Sequence, residues 1–262
     1  MELRYLGWAG VEITERGASL VIDCVCDSSP FLSEHLSSGR PVAPLHAPAV
    51  AALVTHLHFD HTDVPAIESA VGPDGIVLRP PPLQGSEAEA VFTAEQERDL
   101  AASGLDARVV SEWEPHELGP FTVTAVPAVD GLGDPQVGWV VEADGARLFH
   151  GGDTLFHGSW WLIAGRLGPM DVAALPVNGA VVDAPHLQPP SRLPAAMGPR
   201  QAVQAAAILR AGVLLPTHYG AHIPGVYVED EDPIAHVEEI ARGAAQRVVA
   251  LHAGQTLDVP GR

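Results

Sequence analysis

Short runs of alternating apolar and polar residues open the chain. The segments LRYLG, GVEIT and SLVIDC, starting at Leu3, Gly10 and Ser19, have the period-two pattern of strands with glycine-containing turns between them, which predicts a meander. A stretch rich in Pro, Ser and Gly from Ser28 to Pro48 predicts a long surface loop. The run AVAALVTH, ending at His56, is almost continuously apolar, as expected of a strand covered on both faces. Asp63 stands where it can cap a helix over VPAIESAV, with Pro65 in the permitted first turn.

Polar helical sequence follows from around Ser86 to Ala102, and ARVVSEW, FTVTAVPA, VGWVVEA and ARLFHGG predict strands. After a loop rich in Pro and Ala, a helix is predicted to open with Pro199 and close at Gly212. VLLPTHYG, from Val213, reads as a buried strand, PIAHVEEIARGAAQ, from Pro233, as a helix, and RVVALHAG, from Arg247, as a last strand. The acidic run from Glu229 to Asp232 reads as a solvated loop that ends in a helix cap. No linker-like gap divides these elements. The pattern favours one domain over residues 1–262, with two sheets and outer helices.

Composition removes several functions. A formal charge of −19 disfavours a nucleic-acid partner, because phosphate binding needs a basic face. All 14 basic residues are arginines, so Schiff-base lysines, lysine general bases and the P-loop lysine are excluded. No apolar run is long enough to span a bilayer, and the N-terminal segment lacks the core of a secretory leader. Cys24 and Cys26 are spaced poorly for a disulfide. A cytoplasmic, reduced protein without a membrane partner is expected.

The chemistry concentrates in Thr55-His56-Leu57-His58-Phe59-Asp60-His61. On extended backbone His56 and His58 point to one side and can share a cation, while Asp60 and His61 fall where the chain turns toward its helix. Imidazole and carboxylate are the donor types of catalytic zinc sites. A histidine-rich loop with satisfied hydrogen bonds is the plainer alternative. No G-x-S-x-G elbow or helix-terminal cysteine offers a competing nucleophile.

THLHFDH matches the H-x-H-x-D-H signature of the metallo-β-lactamase superfamily, and the resemblance extends along nearly the whole chain. LRYLGWAGVEIT and SLVID look like the family's first strands, although Trp8 stands where many relatives have histidine. LFHGGDT resembles its G-D-T segment, which implies that Asp153 bridges two metals; LLPTHYG resembles its late strand end, which implies His218 as a ligand of the second. GPRQAVQAAAILRAGVLLPTHYG is similar to the branch containing ascorbate-6-phosphate lactonase. The fold implied is a four-layer αββα sandwich of the α/β (α+β) class, two mixed sheets flanked by helices.

One position departs from the pattern. In VPAVDG, Asp130 stands where relatives usually present a third histidine. It could coordinate, weaken the first site or mark its loss; coordination is favoured, because carboxylate oxygens ligate zinc and manganese at ordinary distances. The implied shell places His56, His58 and Asp130 at one ion, Asp60, His61 and His218 at the other, and Asp153 between. Two divalent ions are thus expected, zinc first, with manganese or iron admitted by the extra hard oxygen. With a bridging hydroxide and three aspartates the centre is neutral, so it should polarise water and attract anions less than a two-aspartate version.

The activity implied is a metal-activated hydroxide attacking a small-molecule ester, lactone or amide, with Asp60 as the catalytic side chain that orients it. The alternatives are a phosphodiesterase or ribonuclease of the same superfamily, or a non-catalytic protein with a degenerate metal site. His150, His157, Tyr219 and His222 lie near the implied ligands in sequence and are candidates for supporting a ligand or touching substrate. Trp160 and Trp161 could line a pocket or anchor the core. Many relatives associate, so a homo-oligomer is admitted.

Overall fold

The computed structural model describes residues 1–26, 36–86 and 88–261. The first part of the predicted Ser28–Pro48 loop therefore lies outside the described residues. The predicted meander forms as β1 (Glu2–Gly7), β2 (Gly10–Glu15) and β3 (Ala18–Ile22). Added to them are β4 (Ala52–Leu53), β5 (Ile76–Arg79), β6 (Asp106–Val109) and, on the far side of β1, β15 (Thr256–Asp258), in the order β15-β1-β2-β3-β4-β5-β6. The second sheet runs β13 (Val213–Thr217), β11 (Val172–Pro176), β10 (Ala146–His150), β9 (Val137–Ala143), β8 (Phe121–Pro127), β7 (Pro115–Leu118). A separate ribbon pairs β12 (Val181–Val182) with β14 (Tyr227–Val228).

The layers follow from which faces are apolar. Leu3, Ile13, Ile22 and Leu53 of the first sheet meet Phe121, Trp139, Leu148 and Leu215 of the second in one buried cluster between them. On the outer face of the first sheet lie α1 (Val64–Val71) and α2 (Ala94–Ala102), packed through Val64, Ile67 and Leu100. On the outer face of the second lie α3 (Trp160–Arg166), α4 (Pro199–Ile208) and α5 (Pro233–Ala244), through Ile163, Val203 and Val237. This is the αββα sandwich of two mixed sheets flanked by helices.

Caps were legible in the sequence. Asp63 accepts from Ala66 N at 3.1 Å and Asp232 from Ala235 N at 3.0 Å, and each helix has proline in its first turn.

Two expected elements are shorter or absent. Of AVAALVTH only Ala52–Leu53 pairs as strand; the next residues leave the ladder to form the ligand turn, in which His58 O accepts from His61 N and Thr62 N. RVVALHAG is no strand: Val248 makes one isolated bridge to Leu214, and β15 closes the sheet order instead, in the less apolar segment Thr256–Asp258. Its alternating apolar residues serve packing, with Leu251 and Val249 on the inter-sheet core. The α4 helix also stops at Ile208, before Gly212, because Arg210 takes a left-handed φ of 53°.

Candidate metal centre

All seven implied ligands are carried by segments that follow strand ends along one edge of the two sheets. The turn after β4 bears His56, His58, Asp60 and His61; the segments after β8, β10 and β13 bear Asp130, Asp153 and His218. They gather into two groups, His56, His58, Asp130 and Asp153 in one and Asp60, His61 and His218 in the other, the donor atoms of each group within 4.8 Å of one another. Asp153 Oδ1 lies 3.6 Å from His56 Nε2, and Asp60 Oδ2 lies 3.7 Å from His61 Nε2 and 3.5 Å from His218 Nε2.

Five of these donor atoms are buried without a hydrogen-bond partner: His56 Nε2, His61 Nε2, His218 Nε2, Asp130 Oδ1 and Asp153 Oδ1. A buried polar atom left unsatisfied costs about 1–3 kcal/mol, so five gathered in two such groups are an arrangement that cations would relieve. The residues present therefore fit a two-ion centre.

The opposite edge of each imidazole is held. Asp23, fully buried at the end of β3, accepts from His61 Nδ1 at 2.8 Å and from Thr55 N and Oγ1 at 2.8 and 2.7 Å. Thr55 Oγ1 in turn meets His56 Nδ1 at 3.0 Å. Asp134 Oδ2 contacts His58 Nε2 at 2.9 Å, leaving Nδ1 as the ligating nitrogen of that ring. His218 Nδ1 meets the side-chain amide of Asn178 at 3.2 Å, and that amide also contacts Tyr227 Oη at 2.7 Å. Such outer contacts fix the tautomer and orientation of a ligating histidine.

Asp130 is built as a one-oxygen donor. Its Oδ2 accepts from Leu132 N at 3.0 Å and Asp134 N at 2.7 Å, which turns the loop back and leaves Oδ1 toward the first group. Gly131 permits this fold, since a Cβ there would meet Ala195 O at 2.0 Å. Gly152, at φ +62°, does the same for Asp153: a Cβ would strike Thr55 and Gln136.

Trp8, in the β1–β2 turn, sits against the second group. Its indole Nε1 donates to Asp60 Oδ2 at 3.1 Å, its ring lies 4.2 Å from that of His218, and its carbonyl accepts from His218 N at 2.8 Å.

Electrostatics match a site made for cations. Burial, then the Asp130 carboxylate, pushes Asp153 up to about 7. Burial opposes charge on His61, but Asp60 and Asp23 outweigh it and push that ring up to about 9. Burial holds His218 down to about 4 and His56 well below its ordinary value, so both keep a free lone pair at neutral pH. Asp60 is held well below the usual carboxylate range: burial acts against this, and His61 and His218 prevail.

The Beta-lactamase superfamily domain matches residues 19–219. The chain belongs to the metallo-β-lactamase superfamily. A UPF0173 metal-dependent hydrolase of Symbiobacterium thermophilum is 30% identical over 98% of this chain and 99% of its own. Among solved structures, a novel metallo hydrolase from the archaeon Ignicoccus hospitalis has a TM-score of 0.67 at 21% identity, covering 98% of this chain and 97% of that one. Isothiocyanate hydrolase from Delia radicum gut bacteria has a TM-score of 0.68 at 18% identity, covering 98% of each chain. The protein is a metal-dependent hydrolase of this superfamily, with two candidate metal-binding groups.

Within the superfamily pattern, the secondary candidates separate. His150 is buried behind the ligands: its Nε2 meets Ala9 O at 2.7 Å and its Nδ1 accepts from Gly152 N, tying the Asp153 loop to the β1–β2 turn. His157 stacks on Trp160, His222 is exposed, and Tyr219 packs beside the outer core; none of the three borders the cavity over the metal groups. Trp160 is fully buried and Trp161 is exposed, and neither borders the cavity.

Asp23, Asp134, Asn178 and Tyr227 were not singled out in the sequence. Asp23 had a signal, an acid ending the apolar strand SLVID; the others had none, because long-range packing brings them in. The cavity itself holds about 360 Å³ and opens onto His58, Asp60, Asp153 and His218. No described helix is long and apolar enough to cross a membrane.

Proposed function

We propose that this chain hydrolyses an ester, lactone or amide of a small molecule at the two-ion centre. The observation that carries the reading is the convergence of five unpartnered, buried donor atoms beside an apolar cavity. When bound, the two ions supply Lewis-acid activation of water and of the substrate oxygen. In the reaction the water oxygen joins the acyl carbon, the C–O or C–N bond breaks, and a proton passes to the leaving atom.

Asp60, kept ionised by its histidine neighbours, accepts a hydrogen bond from the attacking water and fixes its direction. Tyr227 supplies the only hydroxyl among the described residues that border the cavity. Burial, then the Asp60 charge, pushes it well above its ordinary value, so it stays protonated and can donate to the acyl oxygen or leaving atom. Asp130 adds a hard oxygen where the superfamily usually has nitrogen, which moves preference from zinc toward manganese or iron(II).

Two observations weigh against the rivals. A phosphodiester would meet Asp183 beyond the ions, in a cavity bordered by no arginine among the described residues. A degenerate site would not have backbone amides holding Asp130 with its free oxygen toward the donors. The uncharged, electrophilic carbon of an isothiocyanate, the class named for one structural neighbour, belongs in the same substrate panel.

The test is metal analysis of protein purified without added metal, followed by lactones, aryl esters, amides, isothiocyanates and bis-aryl phosphodiesters. Two ions per chain with acyl hydrolysis support the reading. No bound ion, or cleavage of phosphodiesters alone, overturns it. Asp130→His should raise the zinc-to-manganese ratio; an unchanged ratio removes Asp130 from the shell.

A further inference from the structure

The cavity at the metal groups and the hollow beside it share walls. The hollow, bordered by Thr62, Pro65, Gln96 and Asp99, holds about 480 Å³, and Phe59, Val91 and Phe92 border both spaces. Phe92 is held on two sides, its ring 5.3 Å from that of His58 and 4.7 Å, edge to face, from that of His186. Its ring thus packs against two histidines at the place where both spaces are bordered.

Apart from Asp60 and Asp153, whose charge the two ions would offset, Asp183 is the one carboxylate that borders the cavity, and no arginine borders it among the described residues. Beyond the reach of the two ions, an anionic group on a substrate would be buried without a counter-charge. Val91 and Val226 border the same cavity and are 50% and 48% exposed. Apolar side chains left half in water beside a reactive centre gain most from an apolar ligand.

We infer that this cavity takes uncharged substrates with an apolar tail, and that Phe92 ends the path of that tail. The inference rests on the hydrolase reading for the reacting end and on the cavity for the rest. A cavity of about 360 Å³ gives room for a tail of limited length beside the reacting group. Without the Phe92 ring the cavity and hollow join, and the limit lengthens.

Straight-chain hydroxamic acids, from acetohydroxamic to dodecanohydroxamic acid, test this on protein of measured metal content, with binding read by calorimetry. Affinity should rise roughly fourfold per methylene and level within the series. Suberic monohydroxamic acid, which carries a carboxylate at its far end, should bind about a hundredfold more weakly than octanohydroxamic acid. Phe92→Ala should move the levelling point to longer chains, and Ala184→Leu, which fills a wall, to shorter ones; either variant alone decides if the other does not fold. Affinity independent of the tail, equal binding of the carboxylate tail, or a levelling point that neither variant moves overturns the inference. If the tail curve is as expected and esters with the same tails are not cleaved, the ligand class stands and the hydrolase reading falls.

Discussion

The two donor groups are held in different ways. The first is gathered by short loops: one turn of five residues supplies Asp130, its two backbone amides and Asp134 behind His58. The second has supports from separate segments, with Trp8 on Asp60, Asp23 behind His61 and the neutral Asn178 amide behind His218. The first position is thus richer in carboxylate, with Asp130 fixed by main chain; the second depends on side chains meeting across the sandwich. A departure from a family's ligand pattern need not mean a lost site when the surrounding loop is rebuilt around the new donor.

Asp153 lies with the first group, and the superfamily resemblance implies that it bridges to the second, so its loss should act on both positions. Asp153→Asn should leave at most one bound ion and lower hydrolysis by at least about a hundredfold, the scale for removing a preorganised electrostatic group; full metal content by elemental analysis would contradict a bridging role. Asp134→Ala should act on the first position alone, weakening one of two dissociation constants by about 10–100-fold in a chelator titration. Equal weakening of both would show that the groups are not separately supported. Trp8→Phe keeps the ring against His218 and removes the N–H, so the second constant should weaken by about tenfold, the worth of one hydrogen bond to a charged group. An unchanged second constant would make the indole a packing residue only.

The smallest effect is in protons. At pH 7 the metal-free His61, pushed up to about 9, carries a proton, and Asp153, pushed up to about 7, is near half-protonated. Both must deprotonate to ligate, so metal uptake should release about one to two protons, read by calorimetry in buffers of different ionisation enthalpy. Each raised value also stabilises the metal-free fold below the ordinary value of 6.5 or 3.8, and that contribution is lost as pH rises through about 9 or 7. His218 works in reverse, stabilising above 6.5 and losing this as pH falls through about 4. The rise in Tm on adding metal should therefore grow between pH 6 and 9; a constant increment would exclude this coupling.

Much of this was open to reading from one dimension. The ligand turn is local, so four donors in six positions announce themselves, and strand alternation and the Asp63 and Asp232 caps depend on neighbours in the chain. RVVALHAG misled because alternating apolar residues pack a core whether or not the backbone pairs, and pairing was decided by the partner strands available. By itself the sequence determined the donor types, their local spacing, the absence of lysine and the acidic charge. Only the tertiary structure decided that Asp130 turns one oxygen inward, that Trp8 donates to Asp60 across 52 positions, and that Asp134 reaches His58 across 76. Those contacts join residues far apart in the chain, and their geometry is set by the packing of two sheets, which no local pattern encodes.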